Sequence, residues 1–408
     1  MIKRFNKSVK YIQFLNPHGS LPLRGLWIAL ALSLLVCTQP PPASAAAPGD
    51  GNSAVTAAAR KLIQFCADPR TGIDAQAAAA IVDYVLAPKS GREGSLAKLD
   101  ECSGAYYEFD TRIAFPRFLS YSYNAQIPGA LTRPSSMRYS MWSGLQGKSH
   151  FLNDKWKPLK TADEPVIIHG MQRDCITPDL NTGIYYEYDL KRTIIYLNHK
   201  GRQALISISK QAGQSDVGKK GLIIGSDNDW NYYYSGETGS FQTGLGWVKS
   251  YIYDYFSIGV YVEANGSSNI VRSGTFQWLR AGWSGINFVQ SGHILTGMKR
   301  FARNSKSILE SQHLPAPGQI ARHYQLLCSL PSRDLFERYS ALQQAQHSLA
   351  AQSGKIGSSD RKAQASYNNI PKEQIVQELM LEYLKLSLGK QSLIDRRLCS
   401  FSAPARSR

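Results

Sequence analysis

A chain of 408 residues that is 43% hydrophobic and only 19% charged has enough apolar material to offset the entropy of ordering, which excludes a disordered protein. A single long apolar run excludes a polytopic helical membrane protein, and six cysteines in this length exclude a disulfide-dense peptide. The 47 Lys and Arg against 30 Asp and Glu give +17, a balance that favours anionic surfaces without specifying one.

The first 24 residues hold Lys3, Arg4, Lys7, Lys10 and Arg24 and no acid. A 13-residue apolar run follows from Gly25 to Cys37, then Pro40, Pro41, Pro42 and the small residues Ala43-Ser44-Ala45. A basic start, a short apolar core and an A-x-A site predict a secretory signal peptide over 1–45, cleaved near Ala45. An uncleaved anchor is the alternative, but 13 apolar residues fall short of the ~20 that a bilayer needs. A lipidated Cys37 is disfavoured by the bulky Leu34-Leu35-Val36 before it. The reading places the mature protein in the periplasm or outside the cell. Five of the 47 basic residues and none of the 30 acids lie in 1–45, so the remainder carries 42 against 30, or +12. Those charges are scattered, and no basic run marks a nucleic-acid partner.

Residues 46–103 read as a small helical region. Val55, Ala58, Leu62 and Cys66 recur at helical spacing, and Asp74 caps an Ala-rich helix over 74–86 that Gly91–Gly94 interrupts. An oxidising compartment makes a Cys66–Cys102 disulfide the first candidate bridge, because both flank this region, and Cys328–Cys399 the second. With five mature cysteines, one thiol is left over.

Residues 104–312 change character to strands and one closing helix. Tyr106–Ile113 forms the first strand, and Gly144–Asn181 is read as a long loop. Residues 184–191 alternate, 193–197 continue as a strand, Asn198–Gly201 turns, and 203–209 return as a hairpin. Residues 248–262 alternate, with Val248, Ile252, Phe256, Ile258, Val260 and Val262 against Tyr251, Tyr253, Tyr255 and Tyr261, and 270–280 make the last strand. Connections this short require an antiparallel meander. The period then becomes helical through Ile286, Val289, Ile294, Met298, Phe301 and Ile308, with Pro315 and Pro317 ending that helix. Residues 313–400 are helical again: Ser332 caps one helix, a polar loop spans 349–368, and Pro371 opens a second that Gly389 stops. Residues 401–408 read as a disordered tail. The fold class is therefore α+β, an antiparallel meander with a long closing helix between helical flanks.

Ser273 to Val289, running into Lys299-Arg300-Phe301, resembles the last strand and closing helix of START-type (helix-grip) lipid-binding domains. Tyr106–Ile113 and Phe115-Pro116-Arg117-Phe118 are similar to that fold's first strand and short helix. The resemblance covers about 180 residues in the middle of the chain; the 144–181 loop and the flanking helices depart from it. It implies a lipid or other hydrophobic small molecule held between sheet and helix. Pockets of that kind are apolar with a few polar handles, which makes Tyr186, Tyr188, Tyr251, Tyr253 and Trp278 the candidate lining. The same residues also suit ordinary sheet packing.

Other chemistry is poorly supported. Gly225–Asn231 has oxygen ligands at alternate positions, but Tyr232 and Thr238 stand where an EF-hand needs Gly and Glu, so an Asx-rich turn is expected. His169, Asp174 and Cys175 are close in sequence without fixing a geometry. Ser284 sits in Gly282-Trp283-Ser284-Gly285-Ile286, which lacks the last Gly of a nucleophile elbow. His293, His313 and His323 lack ligand spacing. No catalytic residue, metal or cofactor is assigned. The expected partners are a lipid or hydrophobic molecule, an anionic membrane surface in peripheral contact, and a protein bound through the C-terminal helices. An envelope hydrolase or a structural assembly factor is the alternative function.

Overall fold

The computed structural model describes residues 50–88, 90–152, 156–159, 164–242, 246–264, 269–354, 356 and 370–395. The predicted signal segment 1–45, the predicted tail 401–408, Cys399 and most of the predicted 349–368 loop lie outside them, and the helix Ser332–Gln352 takes the first residues of that loop. Contacts gather the described residues into one unit. No helix among the described residues is long and apolar enough to cross a membrane.

The chain opens with α1 (Asp50–Ala67) and α2 (Ala75–Val85), where Asp74 caps α2 by accepting from the Ala77 N–H at 2.8 Å. A hairpin of β1 (Glu93–Leu99) and β2 (Cys102–Thr111) follows, then α3 (Phe115–Ser122), with Pro116 in its first turn. Next come β3 (Met137–Gly147), β4 (Val166–Ile176), β5 (Ile184–Tyr185), β6 (Glu187–His199) and β7 (Arg202–Gln211). The short strands β8 (Lys219–Ile223), β9 (Tyr232–Thr238), β10 (Ser240–Gln242) and β11 (Gly246–Val248) lead to the long pair β12 (Tyr251–Glu263) and β13 (Val271–Gly282). The helices α4 (Ser291–Leu309), α5 (Pro317–Ser329), α6 (Ser332–Gln352) and α7 (Lys372–Ser387) complete the described chain.

Eight strands form one antiparallel sheet in the order β1-β2-β13-β12-β7-β6-β4-β3. The fold is α+β, a curled antiparallel sheet with a long helix after its last strand. Four sequence expectations are corrected. The 144–181 segment is not one loop, because it contains β4, which pairs with both β3 and β6. Gly91–Gly94 does not merely break a helix; it leads into edge strand β1. The closing helix begins at Ser291, and Ile286 and Phe288 sit exposed in the loop before it. Pro317 opens α5 at its first turn, where its missing N–H costs nothing.

The two faces of the sheet have different partners. On one face, α1 and α2 lie on Ile206, Ile208, Phe256, Ile258, Val260, Val262, Phe276 and Trp278, which are buried with Leu62, Ile81 and Val82. Gly104 makes room for the Trp278 indole: a Cβ there would lie 2.5 Å from its Nε1. On the other face, α4 packs Ile294 and Met298 against Ala105, and Ile308 and Leu309 join a large cluster with Phe115, Phe118, Tyr196 and Leu205.

The predicted Cys66–Cys102 disulfide is not formed. Both thiols are free and buried. Cys66 lies over β6 and β7, donating toward the Lys191 carbonyl at 3.3 Å, while Cys102 begins β2. Strands β13 and β12 stand between β2 and β7, and three spacings of about 4.8 Å far exceed the ~7 Å Cα limit of a bridge. Burial pushes both thiols up, Cys102 to about 12, so neither is a ready nucleophile.

The C-terminal helices close the β3 edge. The Gln377 side chain on α7 accepts from the Ser140 N–H at 3.0 Å and donates to the Ser140 carbonyl at 2.8 Å, substituting for a ninth strand. The apolar positions of α6 and α7 (Leu335, Tyr339, Leu342, Ile375, Val376, Leu379, Met380) are all buried in the protein's own core, which leaves that set unavailable to a protein partner. His323 on α5 stacks on Tyr383 of α7 with ring centroids 3.9 Å apart. Burial, with Arg338 nearby, lowers its pKa to about 4, from an unfolded value near 6.5. The unfolded chain therefore binds this proton first as pH falls, so the α5–α7 contact is at full strength above about 6.5 and weakens progressively towards 4. At about 1.36 kcal/mol per pK unit, discounted for partial exposure of the ring, the expected loss is about 1–2 kcal/mol. Urea midpoints of wild type and His323→Phe between pH 7 and 4 check this, since phenylalanine keeps the stack without titrating.

Candidate functional site

The space between the sheet and α4 is polar to an unusual degree for a protein interior. Ser207 and Ser209 on β7, Ser257 on β12 and Ser273 on β13 are buried on the same face as Arg192 of β6 and Gln172 and Asp174 of β4. Small hydroxyl side chains at these positions leave volume that leucine or isoleucine would fill.

The rim of this space is aromatic. Tyr123 follows α3, Tyr255 and Tyr261 stand on β12, and Tyr188 on β6 lies 5.9 Å from Tyr255 ring to ring. Burial pushes the hydroxyls of Tyr123, Tyr188 and Tyr255 above the ordinary tyrosine value. Tyr123 and Tyr255 nonetheless keep part of their surface uncovered. A small cavity lies beside Tyr123 and Tyr261.

The void is narrow. Its α3–α4 end, between Phe118, Tyr123, Arg133, Tyr261, Ser273 and Phe301, has about 10 Å³ of free volume, scarcely one water. An open trough of about 500 Å³ lies elsewhere, between α5 and α7. Gln319, Arg322 and Leu326 in its lining are exposed, so it lacks the enclosing walls that a buried ligand requires.

The electrostatics of the interior are unbalanced. Arg192 is 6% exposed; its Nη2 donates to the Ser207 hydroxyl at 2.7 Å, and its guanidinium lies 5.5 Å from the Trp142 ring centroid. Gly170 makes this approach possible, since a Cβ there would stand 3.1 Å from the Trp142 ring. The Arg192 Nε, the Gln211 Oε1 and the Ser273 and Ser135 hydroxyls are buried without a hydrogen-bond partner among the described residues. Asp174 is the buried carboxylate on this face, and it accepts from Gln172 at 2.5 Å instead of from an arginine.

The sequence-predicted lining residues do not form one wall. Tyr188 is inside, packed with Leu190 and Ile252. Tyr186 donates to the Ser250 hydroxyl at 2.9 Å, and Tyr253 accepts from the Gly285 N–H at 2.8 Å, which places both at the end of the sheet where β12 begins. Tyr251 stands beside Tyr253, 6.4 Å ring to ring. Trp278 lies on the opposite face, fully buried under α1 and α2, and donates to the Ala97 carbonyl at 2.9 Å. An irregularity in β12 between Ile252 and Asp254 accounts for part of this: Ile252 joins Tyr188 and Tyr255, while Phe256 joins the α1–α2 face. Sequence reasoning missed Arg192, Arg133, Tyr123 and the serines, because Ser alternating with Ile reads as a solvent-facing edge.

The remaining candidates resolve into structural roles. His169 bonds Thr193 at 2.9 Å and packs edge-on to Phe65, six residues and about 20 Å along β4 from Cys175. Burial pushes the Cys175 thiol up to about 12. Asp227 pairs with Arg300 at 2.5 Å and Arg303 at 3.2 Å and so ties its turn to α4. Ser284 holds a left-handed φ of 52° in an exposed turn. No cluster of three metal-binding side chains occurs among the described residues.

No family model and no curated protein matches the chain. Among solved structures, the human StarD13 (DLC2) lipid transfer and protein localization domain aligns over 57% of this chain and 97% of its own, at 10% identity and a TM-score of 0.22. That degree of superposition carries no argument about ligand or activity.

Proposed function

We propose that this protein binds a lipid or other hydrophobic small molecule with a polar group in the space between the sheet and α4. The observation that supports this reading is the run of buried serines (Ser207, Ser209, Ser257 and Ser273) beside the buried Arg192, whose Nε has no partner among the described residues, a surface that would be filled by aliphatic side chains in a purely structural core. The closed void requires α3, the Gly129–Thr132 turn and α4 to part for loading. Trp247, Ile286 and Phe288 are exposed at the end of the sheet where β12 begins and β13 ends, a suitable face for taking the ligand from a bilayer. Residues 1–45 support export before the protein acts, with a mature chain starting near Ala46.

Native mass spectrometry of the protein purified from its own host, followed by organic extraction, tests both parts. The expected result is an intact mass beginning near Ala46 and about one extractable lipid per chain. A clean extract, together with no uptake of labelled lipid from phosphatidylglycerol-containing vesicles, would overturn the ligand-binding reading; an intact N-terminus would overturn the cleavage.

A further inference from the structure

We propose that the ligand is an amphiphile with a carboxylate head group, and that Arg192 holds that head. The inference rests on the ligand-binding reading above and adds the chemistry of the head group.

Arg192 is the central observation. A guanidinium that is 6% exposed is expected to face a carboxylate, because an unpaired buried charge costs several kcal/mol, about what is lost when a buried pair is broken. No Asp or Glu lies within ion-pair distance of it among the described residues, and its one side-chain hydrogen bond is to a neutral hydroxyl. Its Nε carries no partner. The Nε–Nη2 edge therefore presents two N–H directions side by side, the geometry that a carboxylate matches with both oxygens.

The groups around it add to the same sign. Arg133 reaches this interior from the turn after Gly129–Thr132, and its Nε bonds only the Gly129 carbonyl, at 3.3 Å. The buried Asp174 nearby on β4 accepts from Gln172 at 2.5 Å and makes no ion pair with Arg192 or Arg133. An anion arriving with the ligand would balance the set. Phe118, Tyr261 and Phe301 line the α3–α4 end of this face beside Arg133, an apolar surface for the rest of the amphiphile once α3 and α4 part. The head group accepts from Arg192 and the Ser207 hydroxyl, and the chain runs toward α3 and α4.

Palmitate and hexadecanol carry the same chain and differ in the charge, so their affinities for the full-length, delipidated protein separate the two levels of the argument. Isothermal titration is expected to give palmitate at least tenfold tighter than hexadecanol. In Arg192→Gln the palmitate affinity should fall at least tenfold more than the hexadecanol affinity, and Arg192→Lys should recover part of the loss. Equal affinities in the wild type, or an unchanged palmitate preference in Arg192→Gln, would sink the carboxylate assignment and leave hydrophobic binding standing. Absence of binding by both ligands would overturn the ligand-binding reading itself. If Arg192→Gln does not fold, the wild-type comparison alone decides.

Discussion

Replacing Trp278 by alanine is expected to destabilise the protein by about 3–5 kcal/mol, the range for removing a fully buried aromatic side chain. The indole is fully buried between β1, α1 and α2, and its N–H donates to the Ala97 carbonyl at 2.9 Å. Truncation removes that bond as well as the packing, and it leaves the Ala97 carbonyl without its partner. The cavity would not collapse readily, because the surrounding strands are the interior of an eight-stranded sheet. Trp278→Phe should be milder, about 1–2 kcal/mol, since most of the apolar volume remains. Urea unfolding followed by circular dichroism measures both. Ligand affinity offers the second readout: Trp278 faces away from the void, so Trp278→Phe should bind as wild type does. A selective loss of binding without loss of stability would restore Trp278 to the ligand-lining role that the sequence suggested.

Glu378→Ala should have an effect of similar size for a different reason. Glu378 on α7 accepts from the Arg138 Nε at 2.9 Å, the Tyr339 hydroxyl at 3.1 Å and the Gln374 side chain at 3.0 Å. Both members of the ion pair are nearly sealed from solvent, with side chains 10% and 6% exposed. Removing the carboxylate strands the Arg138 guanidinium over the Tyr234 ring, 3.7 Å from its centroid, and breaking a buried pair in this way costs about 3–5 kcal/mol. The double variant Arg138→Met, Glu378→Leu should recover most of that loss, because two apolar residues of similar volume need no desolvation of charge. A double-mutant cycle on denaturant midpoints reads the coupling. If the double variant were as unstable as Glu378→Ala, the pair would not be the source of the effect. Detachment of α7 has a second consequence. It uncovers the β3 edge at Ser140, so Glu378→Ala is also expected to self-associate more readily, which light scattering detects.

The elements with strong local signals were legible in the sequence. Asp74 announces α2, Pro371 and Gly389 bound α7, and the alternation in 203–209 and 270–280 gives β7 and β13. The α+β class follows from the order of those periods. Strand β4 was not legible: Val166–Ile176 mixes Gly170, Arg173 and Asp174 into a segment whose two faces are both covered, so neither face keeps a clean polarity. Edge strand β1 (EGSLAKL) was hidden by its glycine and charges, which suit an edge but read as a turn.

The site was legible only in outline. The expectation of a ligand between sheet and helix came from the sequence, and of its five candidate residues Tyr188 lies buried on the face that carries the proposed site. Which tyrosines share a wall was decided by the irregularity in β12, because one extra residue reverses every face beyond it. That Cys66 and Cys102 stay apart was decided by strand order, which puts β12 and β13 between their neighbourhoods. Composition and periodicity thus determined the kinds of elements, their sequence and the apolar stripe each must bury. Tertiary structure alone determined that the serine face of β7 and β12 is buried, on the side of the sheet that also carries α4, and that Arg192 is enclosed there without a carboxylate within ion-pair distance among the described residues. The physical reason is that periodicity reports whether two faces differ, while burial depends on what the rest of the chain lays over each of them.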